Sequence, residues 1–209
     1  MNRQGYIPHI KKAIAGKRVL DVGCCATYAK NNLKRHLEYA KSAGEIIGID
    51  INTIFLLDGQ QAHPELELYR VDATSVYEVG TFLPKVGQFD HVIATDILEH
   101  LDDPRHFLKN MHLFMTPKGR LYITVPNVKS PHWWAIWLGM IEVPTNDDHV
   151  CWYDIDHLSR TLGRNGLEIE EHFYCTDPRD KHMAKRLNLE WQEWMGRRLY
   201  VVVKKVGEE

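Results

Sequence analysis

Carboxylate side chains stand at the ends of four short apolar runs in this 209-residue sequence. The runs end at Asp21-Val-Gly23, Asp50-Ile51, Asp72-Ala73 and Thr95-Asp96, and a fifth ends at Pro126-Asn127 without an acid. Core packing does not require carboxylates at such positions, and clustered carboxylates resist a phosphate ligand. Because they accept hydrogen bonds and carry negative charge, they suit hydroxyl groups, amines and positively charged ligands. The pattern therefore predicts a binding site for a ligand of that chemistry.

Two histidines are the candidates for moving a proton near this site. His100 lies in Leu98-Glu-His-Leu101, one helical turn after Asp96, and His149 precedes Cys151-Trp-Tyr153. Histidine titrates near neutral pH, so either ring can serve as a general base for a hydroxyl group. We take His100 as the first candidate and His149 as the second, while each could instead only anchor a neighbouring turn. The chain has no H-x-x-x-H or C-x-x-C pair, so no metal site is predicted.

A sheet is needed to bring these residues together, and the sequence indicates one. Seven runs read as strands: Arg18–Val22, Glu45–Asp50, Glu67–Asp72, Phe89–Thr95, Arg120–Val125, Leu167–Cys175 and Arg198–Lys205. Amphipathic helical patterns alternate with them, such as Phe107–Met115 and Asp154–Leu162. This alternation predicts an α/β fold, a Rossmann-like, doubly wound seven-stranded sheet that is mostly parallel. The last two runs have no obvious crossover helix between them, so we expect an edge hairpin with an antiparallel last strand.

Residues 127–149 interrupt this rhythm inside what otherwise reads as one domain spanning residues 1–209. The segment is apolar and contains Trp133, Trp134 and Trp137, and connections of this length are uncommon in compact domains. It follows the fifth strand, at the carboxyl edge where open parallel sheets bind their ligands. We therefore favour a lid over an apolar or planar substrate, with an extra helix packed on the core as the alternative.

Charge and composition argue against several classes of protein. The 26 Lys+Arg residues nearly balance 28 Asp+Glu, which does not favour a nucleic-acid partner. A late basic group, interpreted as a solvated face, consists of Lys181, Lys185, Arg186, Arg197 and Arg198. The four cysteines indicate reduced thiols, and neither an apolar signal core nor a membrane-spanning run is visible. These features predict a soluble, cytoplasmic protein.

Six segments together resemble the class I S-adenosylmethionine-dependent methyltransferases, over about residues 16–205. They are VLDVGCCATY, IIGIDIN, YRVDATSV, FDHVIATDILEHLDDP, PKGRLYITVPN and HVCWYDIDHLSRTLGRNGLEI. Their order and spacing match that family, although no single segment is decisive. The resemblance implies an enzyme with a seven-stranded sheet, an antiparallel last strand and S-adenosyl-L-methionine as cofactor.

The resemblance also assigns roles by position. Asp50 would accept hydrogen bonds from both ribose hydroxyls, and Asp72 with Ala73 would face the adenine amino group. Asp96 would line the pocket near the sulfonium and belongs, with the two histidines, to the catalytic set. The full cofactor-binding set implied in this way is Asp21, Gly23, Cys25, Tyr28, Asp50, Ile51, Asp72, Ala73 and Thr95.

The turn after the first strand departs from that family. Asp21 and Gly23 would shape the turn under the methionine portion of the cofactor, but glycine is usual at the positions of Cys25 and Thr27. Glycine permits positive φ and close approach of a ligand to the backbone. Three interpretations stay open: an active methyltransferase, a catalytically silent cofactor-binding or partner subunit, and another Rossmann-type enzyme. The last is weakened because an NAD fingerprint needs glycine at Cys25 and Tyr28.

Among the methyltransferases, the resemblance is to the small-molecule branch. Adenine-N6 nucleic-acid enzymes carry an Asn/Asp-Pro-Pro-aromatic run where this chain has Thr95-Asp-Ile-Leu98. The small-molecule branch includes quinone-type enzymes and those of surface-sugar or lipid-linked glycan synthesis. The expected reaction is methyl transfer to an oxygen of a small-molecule, sugar or lipid-linked acceptor. Residues 131–141 could also rest on a membrane surface, and the oligomeric state is not determined by the sequence.

Overall fold

The computed structural model describes residues 5–25, 33–140 and 148–207. Its seven strands are β1 (Arg18–Val22), β2 (Glu45–Asp50), β3 (Glu67–Arg70), β4 (Phe89–Thr95), β5 (Met115–Pro126), β6 (Leu167–Cys175) and β7 (Arg198–Lys205). They form one sheet in the order β3-β2-β1-β4-β5-β7-β6. β7 is antiparallel to both of its neighbours, and the other pairs are parallel. The structure confirms the predicted α/β class and the mostly parallel sheet with an antiparallel last strand.

Helices accompany this sheet throughout the described part of the chain. They are α1 (Ile7–Ala13), α2 (Lys34–Ala40), α3 (Thr53–Ala62), α4 (Val76–Val86), α5 (Pro104–Phe114), α6 (Pro131–Trp137), α7 (Ile155–Gly163) and α8 (Pro178–Arg186), with 3₁₀ turns at Leu98–His100 and Glu193–Met195. Polar N-caps start several of them, such as Asn52 for α3, Ser75 for α4 and Asp103 for α5. These side chains accept hydrogen bonds from backbone N–H groups that lack a partner within the helix.

The sheet is covered on both faces, as a doubly wound fold requires. Alternate residues of β4 belong to two different apolar clusters, because side chains alternate across a strand: Val92 packs with α4, α5 and α7, and Ile93 packs with α1 and α2. β1 lies between β2 and β4, so the strand order reverses at this point. The carboxyl ends of β1 and β4 therefore form the crevice in which such sheets bind ligands.

The third strand is shorter than the sequence indicated. β3 ends at Arg70, two residues before the predicted end at Asp72. The backbone N–H of Asp72 donates to Oε2 of Glu78 at 2.9 Å, and Glu78 belongs to the first turn of α4. Asp72 therefore lies in the turn after the strand rather than on the strand itself.

The fifth strand is longer than the sequence indicated. β5 begins at Met115, whereas the prediction began it at Arg120 and used Thr116–Gly119 as the turn that closes the preceding helix. A register shift against β4 absorbs the extra residues: Phe89 pairs with Met115, and His91 pairs with Arg120. Strand pairing thus continues through an irregularity across residues that favour a turn.

The last two strands pair as the expected edge hairpin. β7 lies inside the sheet, between β5 and β6, and β6 forms the edge. Burial explains this order, since most residues of β7 are buried, whereas exposed and half-buried residues alternate along much of β6. The nine-residue helix α8 occupies the connection in which no crossover helix was expected.

The predicted insertion contains helix α6, and residues 141–147 of it lie outside the described residues. Asn127, at its start, is fully buried and donates from Nδ2 to the Gly196 carbonyl at 2.7 Å. Lys129 Nζ lies 3.2 Å from Oδ2 of Asp154, the N-cap of α7. The beginning of the insertion is therefore fixed both to the segment before β7 and to α7.

Replacing Asp154 by Asn should remove this ion pair while keeping an oxygen at the N-cap. Burial alone would raise the pKa of Asp154, but hydrogen bonds from the His157 N–H and from Lys129 lower it to about 2. A carboxylate whose pKa is lowered by folding stabilises the fold above its ordinary value of 3.8 and loses that contribution as the pH falls through 2. We expect Asp154→Asn to lower the unfolding free energy by up to about 1 kcal/mol at neutral pH.

Urea denaturation between neutral pH and about pH 3 measures this effect. The difference between Asp154→Asn and the natural chain should shrink as the pH falls, because protonation removes the same charge. Asp154→Ala is the matched control, since it also removes the cap and should cost about 1 kcal/mol more at every pH. A pH-independent difference for Asp154→Asn would contradict the assignment.

Candidate active site

A cavity of about 700 Å³ opens at the carboxyl ends of β1, β2 and β4. Eight residues singled out from the sequence line it: Gly23, Cys25, Asp50, Ile51, Thr95, Asp96, His100 and His149. Gly23 and His149, the first and the last of these residues, are far apart along the chain. The reversal of strand order between β1 and β4 brings them to one crevice.

Gly23 makes the turn that leaves β1. Its φ of +68° is a left-handed conformation that glycine adopts without steric cost. The N–H groups of Gly23 and Cys24 both donate to the Ile49 carbonyl of β2, at 2.8 and 3.2 Å. A Cβ atom on Gly23 would lie 3.0 Å from Cδ1 of Ile97. The one glycine in this turn therefore stands where both conformation and space require it.

Asp50 holds the same turn from the end of β2. Its Oδ2 accepts the Cys25 N–H at 3.0 Å and its Oδ1 accepts the Asn52 N–H at 2.8 Å. Burial raises the pKa of Asp50, although these hydrogen bonds act in the opposite direction. A carboxylate oxygen can accept more than one hydrogen bond, so Asp50 can still bind hydroxyl groups of a ligand. Thr27 and Tyr28, further along the turn, lie outside the described residues.

Three candidate residues do not line the cavity. Asp21 is 3% exposed, and its Oδ2 lies 2.9 Å from Nδ1 of the fully buried His36. Asp21 therefore positions α2 beneath the turn. Oδ1 of Asp72 accepts hydrogen bonds from the N–H and the hydroxyl of Thr74, at 2.8 and 2.7 Å, and Ala73 packs against the main core. The assignment of Asp72 and Ala73 to the adenine stays a prediction.

Asp96 is the carboxylate around which the charges of the cavity are arranged. Its φ of +57° is uncommon for a non-glycine residue, and strain of this kind clusters at functional sites. Oδ2 accepts a hydrogen bond from Nη1 of Arg35 at 3.0 Å, and Oδ1 accepts one from the Thr124 hydroxyl at 2.8 Å. Nε of Arg198 lies 2.9 Å from Oδ1. One carboxylate therefore faces two guanidinium groups, and the trio carries a net positive charge.

The two candidate bases meet at the cavity together with Glu99. Each of the three offers a titratable atom within 4.8 Å of the others. The rings of His100 and His149 pack edge to face, with centroids 4.8 Å apart. Nδ1 of His100 lies 3.1 Å from the carbonyl oxygen of Asp148. Because a carbonyl can only accept, Nδ1 carries the proton in this contact and Nε2 of the neutral ring holds a lone pair.

Glu99 also lines the cavity, although the sequence analysis did not include it among the candidate site residues. Its side chain is buried, and Oε2 has no hydrogen-bond partner within the described ranges. Burial and the nearby Asp96 carboxylate raise the pKa of Glu99 to about 8, and burial beside His100 lowers the pKa of His149. Both shifts favour the uncharged forms at neutral pH. The sequence placed Glu99 next to His100, but it gave no indication that the carboxyl group is enclosed.

The interpretation of the late basic group as a solvated face is wrong for two of its arginines. Arg197 and Arg198 line the cavity. Nε of Arg197 donates to Oδ1 of the fully buried Asp180 at 2.8 Å, and Arg198 approaches Asp96 as described above. The reason is topological: β7 lies inside the sheet, so the residues at its start come beside the ends of β4 and β5.

Two compact groups of potential metal ligands occur in the described part of the chain, although the sequence predicted no metal site. One is Glu99, His100 and His149, and the other is Cys24, Cys25 and Asp50. The two cysteines are free thiols, and their Sγ atoms are 3.9 Å apart. The prediction considered only spacing along the chain, whereas each group also includes a residue from a distant segment.

The chain is similar to known proteins in both sequence and fold. A family model for a methyltransferase domain matches residues 3–172. The chain belongs to this methyltransferase family. Ubiquinone biosynthesis O-methyltransferases are curated relatives: the protein of Acinetobacter baumannii strain AYE is 23% identical over 125 residues, which are 60% of this chain and 50% of that protein. The protein of Coxiella burnetii strain Dugway 5J108-111 is 27% identical over 115 residues, which are 54% of this chain and 45% of that protein.

The methyltransferase chain thus spans about half the length of these curated relatives. Its fold is shared with an S-adenosylmethionine-dependent methyltransferase from Mesorhizobium loti, at a TM-score of 0.64 and 16% identity over 95% of this chain and 96% of that one. A putative methyltransferase in complex with the Haloferax volcanii Trm112 activator also shares this fold, at a TM-score of 0.64 and 15% identity over 99% of this chain and 91% of that one. The family and these descriptions support S-adenosylmethionine as the cofactor.

The cavity fits that cofactor. Its volume of about 700 Å³ is within the usual range for sites that bind compounds of this size. Asp50 offers carboxylate oxygens to ribose hydroxyls, and the turn at Gly23 exposes backbone to the ligand without a Cβ atom in the way. Asp96, Arg35 and Arg198 together carry a net positive charge, which would suit the carboxylate of the methionine portion.

Asp50→Asn should weaken the binding of S-adenosylmethionine by about 10- to 100-fold, because a hydrogen bond to a charged acceptor contributes about 1.5–3 kcal/mol. Asp58→Asn is the control, since Asp58 is an exposed carboxylate on α3 that does not line the cavity. We expect its affinity to stay within about twofold of the natural chain. Calorimetric titration measures both, with thermal melts to verify folding. Equal losses in the two variants, or none in Asp50→Asn, would contradict the assignment.

Proposed function

We propose that this protein transfers the methyl group of S-adenosylmethionine to an oxygen atom of a small-molecule, sugar or lipid-linked acceptor. One observation carries the proposal: a single cavity contains the ribose-type acid Asp50 and a proton-exchanging group formed by Glu99, His100 and His149. The names of the ubiquinone biosynthesis O-methyltransferases support a quinol or catechol type of acceptor.

Residues of this chain would hold the cofactor at two points. When bound, S-adenosylmethionine supplies an electrophilic methyl group carried by a sulfonium. Asp50 would accept the ribose hydroxyls. Because Arg35 and Arg198 both face Asp96, the trio carries a net positive charge and would receive the carboxylate of the methionine portion. Fixing the reactants in line would provide much of the rate.

His100 is the proposed general base. Its ring is oriented by the contact between Nδ1 and the Asp148 carbonyl, which leaves Nε2 able to take the proton of an acceptor hydroxyl. Glu99 lies close enough to the histidines to exchange a proton with them. His149 packs edge-on against His100 and is the second proton acceptor of the group.

The acceptor would lie against α6. Trp133 lines the cavity, and its indole N–H is buried without an acceptor among the residues that the structure describes. Buried polar groups are ordinarily paired, so this N–H is available to an oxygen of the acceptor. Its ring also provides a flat apolar surface for an aromatic or sugar ring. Trp152 packs edge to face on Trp133 with centroids 4.8 Å apart, which holds the indole in place.

The end of α6 and the residues that follow it support contact with a membrane surface or a lipid-linked acceptor. Trp137, Leu138 and Met140 are 53%, 68% and 37% exposed, and together they form an outward apolar surface. No helix within the described ranges has the length and apolar content to cross a bilayer. We expect co-sedimentation with phospholipid vesicles, weakened when Trp137 and Leu138 are both changed to Ser. A chain that stays entirely in the supernatant would contradict this part of the proposal.

His100→Ala should lower kcat for methyl transfer by about 10²- to 10⁴-fold, the usual contribution of a general base. The assay measures labelled methyl transfer from S-adenosylmethionine to a panel of quinols, catechols and sugars. His106→Ala, an exposed histidine on α5, is the control and should leave kcat unchanged. The affinity for S-adenosylmethionine should not change in either variant. An active natural chain with an equally active His100→Ala variant would exclude His100 as the base.

A catalytically silent cofactor-binding subunit is the second candidate. The observation that favours it is that Cys25 places a side chain in the cavity at a position where the family usually has glycine. The same assay separates the two candidates. Binding of S-adenosylmethionine without turnover on any acceptor would support the silent subunit, and turnover would exclude it.

A further inference from the structure

Two adjacent thiols lie beside the carboxylate that is assigned to the cofactor. Cys24 and Cys25 are 4% and 8% exposed, and their Sγ atoms are 3.9 Å apart. Cys25 lines the cavity, so its thiol is reached from the same opening as Asp50. The proposed methyl transfer does not use either thiol.

The distance between the thiols suits a shared metal ion. In a tetrahedral zinc site with Zn–S distances of about 2.3 Å, two sulfur ligands are separated by about 3.8 Å. The observed separation of 3.9 Å therefore requires almost no movement of either side chain. A disulfide would need the sulfur atoms at about 2.05 Å, which demands a rearrangement of the turn. The geometry points to a shared ion rather than to a covalent bond.

The position of the Cys24 thiol is fixed by packing. A Cβ atom on Gly48 of β2 would lie 2.9 Å from Sγ of Cys24 and 2.9 Å from Cε1 of His36, so glycine at this position provides the space for both side chains. The side chain of Cys24 also packs with Leu33 and Leu56 in a small apolar cluster. A rigid surrounding of this kind keeps the sulfur where a cation would need it.

Asp50 completes the set of ligands. One of its oxygens lies within 4.8 Å of both sulfur atoms. Each oxygen already accepts one backbone N–H, and a carboxylate oxygen has a further lone pair available. Two thiolates and one carboxylate form a soft, anionic donor set, which selects zinc-like and copper(I)-like cations over magnesium or calcium.

We propose that Cys24, Cys25 and Asp50 form a binding site for a thiophilic metal cation, and that an ion bound there excludes the cofactor from Asp50. Binding releases the two thiol protons to solvent, as thiolate coordination requires. The first half of the inference is independent of the proposed function, and the second half rests on it. Metal and S-adenosylmethionine would then each weaken the binding of the other by the same factor.

The first experiment adds Cd²⁺ alone to the purified, fully reduced chain and records the ultraviolet thiolate-to-metal charge-transfer absorption. We expect saturation at one ion per chain and no such band with Mg²⁺. Cys24→Ala should weaken Cd²⁺ binding at least about tenfold, because one of two thiolates is lost. Cys175→Ala, which removes a buried free thiol on β6, is the matched control and should bind Cd²⁺ normally.

Circular dichroism and thermal melts verify that both variants are folded. Should Cys24→Ala fail to fold, Cys25→Ala provides the same test from the side of the cavity, because it removes the other thiolate. Absence of the charge-transfer band in the natural chain, or its persistence at full affinity in both folded cysteine variants, would overturn the metal site.

The second experiment titrates S-adenosylmethionine into the chain with and without saturating Cd²⁺. A loss of cofactor affinity of at least about tenfold, mirrored by an equal loss of Cd²⁺ affinity at saturating cofactor, would support mutual exclusion. Unchanged cofactor affinity in the Cd²⁺-loaded chain would overturn it. Absence of cofactor binding in the metal-free chain would instead overturn the proposed function and the exclusion together, while the metal site would still be judged by its absorption.

Discussion

One carboxylate, that of Asp50, connects the two turns on which the cavity depends. It accepts the N–H of Cys25 from the turn after β1 and the N–H of Asn52 at the start of α3. Without it, neither turn would have a fixed position at the end of β2, and two backbone donors would lose their acceptor. The same side chain offers its remaining lone pairs to the cavity. The ribose assignment and the proposed cation site therefore compete for one group, and this makes a metal-sensitive cofactor site a physical consequence of the turn.

A second constraint is the way in which positive charge is divided within the cavity. Arg35 and Arg198 both face Asp96, which is held in a left-handed conformation between them. Glu99, nearby and buried, has neither arginine as a direct ion-pair partner, and the charge of Asp96 helps to raise its pKa to about 8. Asp96 is thus paired with two guanidinium groups, whereas the carboxyl group of Glu99 favours its protonated form beside the histidines. Two carboxyl groups of similar chemistry acquire different roles from their surroundings.

The insertion after β5 connects acceptor binding with proton transfer. Trp152 packs edge to face on Trp133 and Trp137 of this segment, at centroid distances of 4.8 and 5.4 Å, and lies 5.8 Å from the ring of His149. A movement of α6 would consequently change the surroundings of His149. An acceptor that packs on Trp133 would therefore influence the proton-accepting group through direct contacts between rings.

The sequence by itself determined the strands, because short apolar runs that end in acids have few alternatives to a parallel sheet. Five of the seven predicted strands have the observed bounds. It also predicted that Asp50, Asp96 and His100 lie close together, and all three line the cavity, since ligand crevices form at the carboxyl ends of parallel strands where the strand order reverses. Two strands differed for opposite reasons: pairing across the sheet overruled a local turn preference at Met115, whereas a contact with α4 takes the backbone N–H of Asp72 beyond the end of β3.

Only the tertiary structure decided which polar groups are enclosed and which distant groups meet. The place of Arg198 in the cavity, near the enclosed carboxyl group of Glu99, depends on where β7 enters the sheet. Local hydrophobic periodicity predicts strands but does not determine their order in the sheet. The approach of two thiols to Asp50 likewise depends on how the first turn packs against the end of β2. Residue type and spacing along a chain state which chemistry is available, whereas distances of a few ångström between separate segments are fixed by packing, and these distances determine which chemistry can take place.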